Sequence, residues 1–178
     1  QRSKDYSNIQ DKFRPGHADY TYHMKYKNFD YRGGGRSSAR ETAMRVAAGA
    51  LSEMLISKIT KPKMKITSGV IQIGTEKIKT DKWNENFINK NPFFSPNKSI
   101  VGKWEDLILL HRKKGSSLGA IIEVRVKNCP IGIGEPIYQK LDSELSKAIM
   151  SINAVKGIEF GTGFNLVKLD GTYSSDQM

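Results

Sequence analysis

Residues 32–42 read Arg-Gly-Gly-Gly-Arg-Ser-Ser-Ala-Arg-Glu-Thr, a glycine-rich turn that runs directly into a helical pattern. Consecutive glycines let the backbone adopt positive φ angles and approach a ligand closely. The start of a helix adds free amides and the positive end of the helix dipole. Side-chain donors come from Arg36, Arg40, Ser37 and Ser38. The stretch predicts an anion-binding cradle; the alternative is a flexible glycine turn before an ordinary capped helix.

The helix after this turn is expected to begin near Ser38. Ser38 and Glu41 have the Ser-x-x-Glu spacing of a capping box, in which the serine accepts from a helix amide and the glutamate reaches back. Apolar residues recur at helical spacing over residues 43–55, and the small residues at 47–50 indicate a close-packed, deeply buried helix. Pro62 should end it.

The rest of the chain alternates between helical and strand patterns. Residues 1–35 show no clean period, and their aromatic side chains favour a long ordered loop over disorder. Strands are expected at 63–74, 118–128, 158–160 and 164–169, and helices at 100–114 and 141–150. This order predicts an α+β fold in which helices pack with largely antiparallel β-sheets.

Two residues outside the glycine turn are candidates for chemistry. His17 follows a Pro-Gly turn between Arg14 and Asp19, and histidine is the usual proton donor near neutral pH. A loop histidine that binds backbone groups is an equal alternative. Asn153, in a predicted helix-to-strand connection, could donate to the edge of a heterocycle or only close an Asx turn.

The composition is that of a basic globular chain, with 178 residues and a formal net charge of +11. Such an excess is typical of proteins that bind phosphates, although a lysine-rich surface accounts for part of it. The single cysteine, Cys129, excludes a disulfide framework, fits a reducing cytosol and is expected to be a buried thiol. With only three histidines, the chain shows no metal-ligand spacing.

Several protein classes find no support in the sequence. No apolar run approaches the roughly 18 residues of a spanning helix, and the polar start does not resemble a signal peptide. The chain begins without Met and ends abruptly, which indicates a fragment. A basic RNA-binding module is the alternative function, because charge and aromatic residues suit stacking and phosphate contacts. The common RNA-binding motifs are nevertheless missing, and the cradle with its predicted buried helix favours an enclosed small-molecule site.

Six segments resemble the chorismate synthase family, the first three almost letter for letter and the last three in the family's order and spacing. They are residues 14–22, 25–26, 30–49, 91–94, 132–136 and 150–157. Lys27, where the family usually has glycine, and Thr162, where it often has aspartate, are peripheral departures. The resemblance covers essentially the whole chain. It implies that residues 1–178 are the central part of a single chorismate synthase domain, whose layered sandwich is incomplete because the N-terminal and C-terminal parts are absent.

The resemblance also implies an activity. The family is a lyase that converts 5-enolpyruvylshikimate 3-phosphate to chorismate and phosphate by 1,4-elimination with reduced FMN. This is the last step of the shikimate pathway to aromatic amino acids. Family members are longer chains that form homotetramers in the cytoplasm or plastid, with neither nucleic acid nor membrane as a partner. We therefore expect weak or no catalysis from the 178 residues alone.

The family's site residues fall on matching positions of this chain. The catalytic histidine falls on His17, with proton transfer at the reduced flavin as its expected role. The flavin contacts fall on Arg36, Ser37, Ser38, Asn153 and Ala154. Contacts to the substrate's phosphate or carboxylates fall on Arg14 and Arg40.

Overall fold

The computed structural model describes residues 3–176, and the chain divides into two compact units. Unit 1 comprises Gln1–Glu53 and Gly132–Met178, and unit 2 comprises Met54–Ile131. The α-helices are α1 (Asp19–Tyr26), α2 (Thr42–Ile59), α3 (Glu85–Ile88), α4 (Val101–Lys113), α5 (Leu141–Met150) and α6 (Gly171–Ser174). The strands are β1 (Lys65–Ile73), β2 (Glu76–Lys77) and β3 (Ala120–Lys127). The predicted α+β class is confirmed.

Unit 2 is built on an antiparallel sheet in the order β2-β1-β3. The register of β1 against β3 runs from Lys65 opposite Lys127 to Ile73 opposite Ala120, with a bulge between Val70 and Gln72. Both strands are rich in β-branched residues, which pack well on a pleated surface. The sheet provides the platform for the hydrophobic core of the unit.

The core of unit 2 surrounds Trp104 of α4, whose side chain is fully buried. It packs with Ile71, Ile73, Ile78 and Ile100. The indole Nε1 donates to the carbonyl of Glu76 at 2.9 Å, so the buried polar atom is satisfied. Every buried hydrophobic side chain within residues 3–176 belongs to unit 2.

The Asn-Pro-Phe-Phe segment at 91–94 organises a loop of unit 2. Asn91 Nδ2 donates to the carbonyls of residues 87, 88 and 95, and its Oδ1 accepts from the amides of residues 93 and 95. One side-chain amide thereby replaces the backbone pairing that the loop lacks. The structure thus gives this family segment an architectural role.

Most of the predicted elements are present within a residue or two of their expected bounds. They are β1, β3, α4 and α5. The strands predicted at 158–160 and 164–169 are wrong, because the second range lies in a 3₁₀ helix, Gly163–Lys168, and the first has no regular structure. Gly161 and Gly163 both have a φ of +58°, which turns the chain out of an extended path.

Residues 1–35 are not one long loop, since α1 and a 3₁₀ helix, Ser3–Ile9, lie within them. Helix α1 was not predicted, because its residues are mostly polar or aromatic and show no helical repeat of apolar side chains. Cys129 is exposed, so the expected burial of its thiol is wrong as well. It follows Asn128, whose φ of +58° carries the chain away from the end of β3.

Helix α2 is present but begins at Thr42 instead of near Ser38, because residues 39–41 form a 3₁₀ helix, and the expectation that it is deeply buried is wrong. Most of its large apolar side chains are 59–70% exposed, Ile56 is half-buried, and none of its residues is buried. Apolar periodicity reports which face of a helix is apolar, whereas burial depends on a second element that covers this face. Among residues 3–176, no helix is long and apolar enough to cross a membrane.

Candidate functional site

The three glycines of the 32–42 stretch adopt the backbone conformation that their sequence predicts. Gly33, Gly34 and Gly35 have φ angles of +122°, +87° and +50°. The Gly34 amide donates to the Asp30 carbonyl at 2.7 Å, and the Gly34 carbonyl accepts from the Ser37 amide at 2.9 Å and from Ser37 Oγ at 2.6 Å. The predicted positive φ angles are confirmed, and the hydrogen bonds hold the loop as a series of tight turns.

The start of the helix differs from the prediction in where its amides point. Arg40 N donates to Ser38 Oγ at 3.3 Å, Glu41 N to the Ser38 carbonyl, and Thr42 N to carbonyls of the preceding turn. These amides are therefore not free for an anion. Only the serine half of the capping box forms, because the Glu41 carboxylate pairs with Arg36 at 3.4 Å.

Arg14 and Asp19 form an ion pair that the sequence analysis did not foresee. Arg14 Nε and Nη2 donate to the two carboxylate oxygens at 2.7 and 2.8 Å, and the Arg14 amide adds a third bond at 3.1 Å. Asp19 is only 2% exposed, and the hydrogen bonds from Arg14 hold the pKa of its carboxyl below the usual range. The pair closes the 14–19 loop across its Pro-Gly turn; five residues of separation were the only available signal.

His17 lies in this closed loop and is exposed. Its amide donates to the Arg14 carbonyl at 3.2 Å, which completes the turn. The guanidinium of Arg14 lies beside the glycine loop, since a Cβ on Gly34 would be 3.2 Å from Arg14 Nη2. The Arg14–Asp19 pair therefore connects the histidine loop with the glycine loop.

Unit 1 contains a cleft of about 560 Å³, which is within the usual size range for small-molecule sites. Its walls come from α1, the glycine loop, the start of α2 and the turn after α5. The lining residues are Ala18, Tyr22, Arg36, Ser37, Glu41, Met44, Arg45, Ser151 and Asn153. Two guanidinium groups and one carboxylate supply its charge.

Two side chains join parts of the cleft that are more than a hundred residues apart in sequence. Asn153 Nδ2 donates to the Ser37 carbonyl at 3.1 Å. Arg45 Nη2 donates to the Ser151 carbonyl at 2.9 Å and lies 3.3 Å from Ser151 Oγ. The structure thus brings the Arg-Ser-Ser segment against the Ser-Ile-Asn-Ala segment.

Three of the predicted site residues line the cleft, namely Arg36, Ser37 and Asn153. The other five lie outside its lining: His17, Ser38, Ala154, Arg14 and Arg40. Arg40 Nε donates to Ser38 Oγ at 3.2 Å, so these two are mutual neighbours beside the loop.

Arg45 is the main lining residue that the sequence analysis missed. The available signal was its position four residues after Glu41, which places both side chains on one face of the helix. Tyr22 and Met44 were missed too, because a cleft between distant segments leaves no local pattern.

Comparison with known proteins identifies the family that this chain matches. The chorismate synthase family model matches residues 1–178. A chorismate synthase of Pelagibacter ubique is 54% identical over 177 residues, which are 99% of this chain and 49% of that protein. One from Nitrobacter winogradskyi is 54% identical over 178 residues, which are 100% of this chain and 47% of that protein.

A solved structure described as a crystal structure of chorismate synthase is similar, with a TM-score of 0.79 and 30% identity. The similarity covers 90% of this chain and 52% of that one. The chain therefore spans about half the length of the relatives that it matches.

Proposed function

This chain belongs to the chorismate synthase family, and from that membership we propose that it forms one wall of a flavin-dependent lyase site. The proposed reaction converts 5-enolpyruvylshikimate 3-phosphate to chorismate and phosphate, with loss of one ring hydrogen and with reduced FMN as cofactor. We further propose a homotetramer in the cytoplasm or plastid for the full-length protein. The proposed partner is an anionic small molecule.

The contact between residues 36–38 and 151–154 is the observation that carries this proposal. By family resemblance both segments contact the flavin, and here they meet through the Asn153–Ser37 hydrogen bond. Arg45 of α2 supports this junction by donating to the Ser151 carbonyl. Small-molecule pockets are commonly lined by residues from several different elements. The cleft at the junction of the two segments has the volume of a small-molecule site.

The residues around the cleft fit an anionic, hydrogen-bonding cofactor. Guanidinium groups bind phosphates strongly, and amide and hydroxyl groups suit the polar edge of a flavin. The residues that would hold reduced FMN are Arg36, Ser37, Ser38, Asn153 and Ala154. When bound, reduced FMN supplies electron density to the substrate as phosphate leaves.

The chain's own residues would bind the substrate and move a proton. Arg14 uses the side-chain nitrogens Nε and Nη2 to bind Asp19, and its Nη1 group, which makes no hydrogen bond to residues 3–176, would bind a phosphate or carboxylate. Arg40, beside Ser38, would bind a second anionic group of the substrate. His17, exposed in its closed loop, would exchange a proton with the bound cofactor at an imidazole nitrogen.

A hybrid enzyme tests the proposed reaction. This chain replaces the aligned segment of the Pelagibacter ubique relative, and chorismate formation is measured anaerobically with chemically reduced FMN. We expect turnover by the hybrid, and a loss of about 10²- to 10⁴-fold in kcat for His17→Ala, which removes the proton-transfer group.

His111→Ala is the matched control, because His111 lies in α4, outside the cleft lining, and its ring Nδ1 lies 2.9 Å from the helix carbonyl of Leu107. A folded hybrid without chorismate formation, or equal rates for the two histidine variants, contradicts the proposal. RNA binding that falls steeply with salt, with no saturable flavin binding, would instead favour the RNA-binding alternative.

A further inference from the structure

Arg45 lines the cleft at the fourth position of α2. Neither the sequence motifs nor the family resemblance assigned a role to this residue. We propose that Arg45 is the residue that binds a phosphomonoester group in this cleft. The inference rests on the proposed function, which it deepens by naming the ligand group that one side chain recognises.

The first argument is the balance of charge around the cleft. Arg36 faces the carboxylate of Glu41 at 3.4 Å, and Arg14, outside the lining, is neutralised by Asp19. Within the described part of the chain, Arg45 makes no ion pair, and its hydrogen-bond partners are the neutral oxygens of Ser151. Arg45 therefore brings a positive charge that no carboxylate of residues 3–176 compensates.

The second argument is the orientation of the guanidinium. Both bonds to Ser151 use Nη2, and Ser151 Oγ itself donates to the Ala148 carbonyl at 2.6 Å. The Nε and Nη1 groups make no hydrogen bond to the described residues. A side chain held by one nitrogen, with its other donors available, loses little conformational freedom when an anion binds.

The third argument is that several neutral donors near the cleft already have acceptors within the chain. Ser37 Oγ donates to the Gly34 carbonyl, and Asn153 Nδ2 donates to the Ser37 carbonyl. The amides at the helix start have internal acceptors as well. Arg45 combines a charge that pairs with no described carboxylate and N–H groups that make no hydrogen bond to residues 3–176, close to the positive end of α2.

Two molecules of the proposed reaction carry a phosphomonoester, namely the flavin cofactor and the substrate. The guanidinium fork recognises this dianion in either molecule. Pairs of probes that differ only by the phosphate distinguish the two sources.

The test uses the 178-residue chain and the two flavins FMN and riboflavin. Dissociation constants are measured for the unchanged chain, for Arg45→Met and for Lys58→Met. Lys58→Met is the matched control, because it removes one positive charge from the same helix at a position outside the cleft lining. If Arg45 binds the cofactor's phosphate, the preference for FMN over riboflavin falls about tenfold or more in Arg45→Met and not in Lys58→Met, through loss of a charge-assisted contact.

A second pair of probes, shikimate 3-phosphate and shikimate, identifies the source of the phosphate. Loss of discrimination within the flavin pair assigns Arg45 to the cofactor, and loss within the shikimate pair assigns it to the substrate. The inference is overturned if Arg45→Met leaves both ratios unchanged, if Lys58→Met lowers them equally, or if the unchanged chain discriminates within neither pair.

Arg45→Lys distinguishes the loss of phosphate recognition from a purely structural effect of the substitution. Lysine keeps the charge, so we expect it to recover much of the phosphate preference, whereas a variant that only loosens the Ser151 turn would weaken both members of each pair equally. Phosphate discrimination by the chain without chorismate formation by the hybrid would refute the proposed reaction and leave the role of Arg45 intact.

Discussion

Gly34 shows how closely the glycine loop is packed at the level of one residue. Its φ is +87°, and an added Cβ would lie 3.0 Å from Ser37 Oγ and 3.2 Å from Arg14 Nη2. Both atoms are hydrogen-bonded, so neither can move away without breaking a contact. We expect Gly34→Ala to lower the free energy of unfolding by about 2–3 kcal/mol, because steric crowding adds to the left-handed strain.

Gly16→Ala is the matched control for that substitution. Gly16 has a φ of +74°, and nothing lies within 4 Å of an added Cβ. It should therefore show only the left-handed strain of about 1–2 kcal/mol. Urea unfolding of both variants measures the difference, and equal losses would mean that the contacts of Gly34 do not constrain the loop.

At the residue scale, the sequence predicts backbone conformation and candidate site residues better than it predicts which side chains bind to each other. The positive φ angles of residues 33–35 follow from glycine alone. The family resemblance selected Ser37 and Asn153 as candidate site residues, although they are far apart in sequence. The pairs Arg14–Asp19 and Arg45–Ser151 could not be predicted, because each depends on where two side chains point after folding. Asp19 and Arg45 consequently had no predicted role.

Helix α1 ends at a position where this chain departs from its family's usual glycine. Lys27 has a φ of +56°, and its amide donates to the His23 carbonyl at 2.8 Å. A left-handed residue at this place favours glycine. We expect Lys27→Gly to raise the free energy of unfolding by about 0.5–1 kcal/mol, since relief of left-handed strain exceeds the added freedom of the unfolded chain.

The control for Lys27 is the next residue, Asn28, which is also exposed and does not have a positive φ. Asn28→Gly gains freedom in the unfolded state without relief of strain, so it should destabilise. Thermal unfolding of both variants checks the opposite signs. A lower melting temperature for Lys27→Gly would show that glycine brings no benefit at the end of α1.

Glu85, the first residue of α3, connects β1 and β3 by pairing with one lysine of each strand. Glu85 accepts from Lys127 Nζ at 2.8 Å and also pairs with Lys65. These lysines face each other across β1 and β3, where like charges repel. The hydrogen bonds from Lys127 and Lys65 lower the pKa of Glu85 from 4.5 to about 2.

This lowered pKa fixes the direction of an acid effect on stability. The stabilisation by Glu85 is fully present above pH 4.5, the pKa of the unfolded state, and is lost as the pH falls towards about 2. Glu85→Gln should therefore be less stable than the unchanged chain at neutral pH, and the difference should disappear in acid.

Glu105→Gln serves as the control, since Glu105 is exposed and forms no ion pair within residues 3–176. Unfolding free energies measured from pH 2 to 7 decide the matter. A gap between Glu85→Gln and the unchanged chain that stays constant with pH would contradict the argument.

At the element scale, the spacing of apolar residues predicted the long helices and strands but not which elements pack against them. Alternation placed β1 and β3 correctly, because half-buried strands need it. The same reasoning placed α2 but wrongly buried it, since period carries no information about what covers a face. It also missed the turns at Gly161 and Gly163, where backbone conformation overrides the apolar residues nearby.

At the scale of the whole molecule, large apolar surfaces are open in both units. In unit 1, Met44 and Leu51 of α2 are 70% and 69% exposed, and in unit 2, Ile122 and Val124 of β3 are 63% and 52% exposed. Monomeric soluble proteins rarely expose contiguous apolar surfaces of this kind. The chain also aligns with only about half of its relatives' length. We therefore expect further protein surface to cover these faces.

The half-length match to the relatives leads to a prediction about catalysis. We expect the 178-residue chain alone to form chorismate at least about 100-fold more slowly than the hybrid enzyme, because catalytic groups tolerate little misplacement. Flavin binding by the chain should persist, although weakened, since residues 36–38 and 151–154 already meet. Parallel anaerobic assays with reduced FMN compare the two proteins at equal concentration. Turnover by the chain that equals turnover by the hybrid would show that these residues form a sufficient active site, and the exposed face of α2 would then need a different explanation.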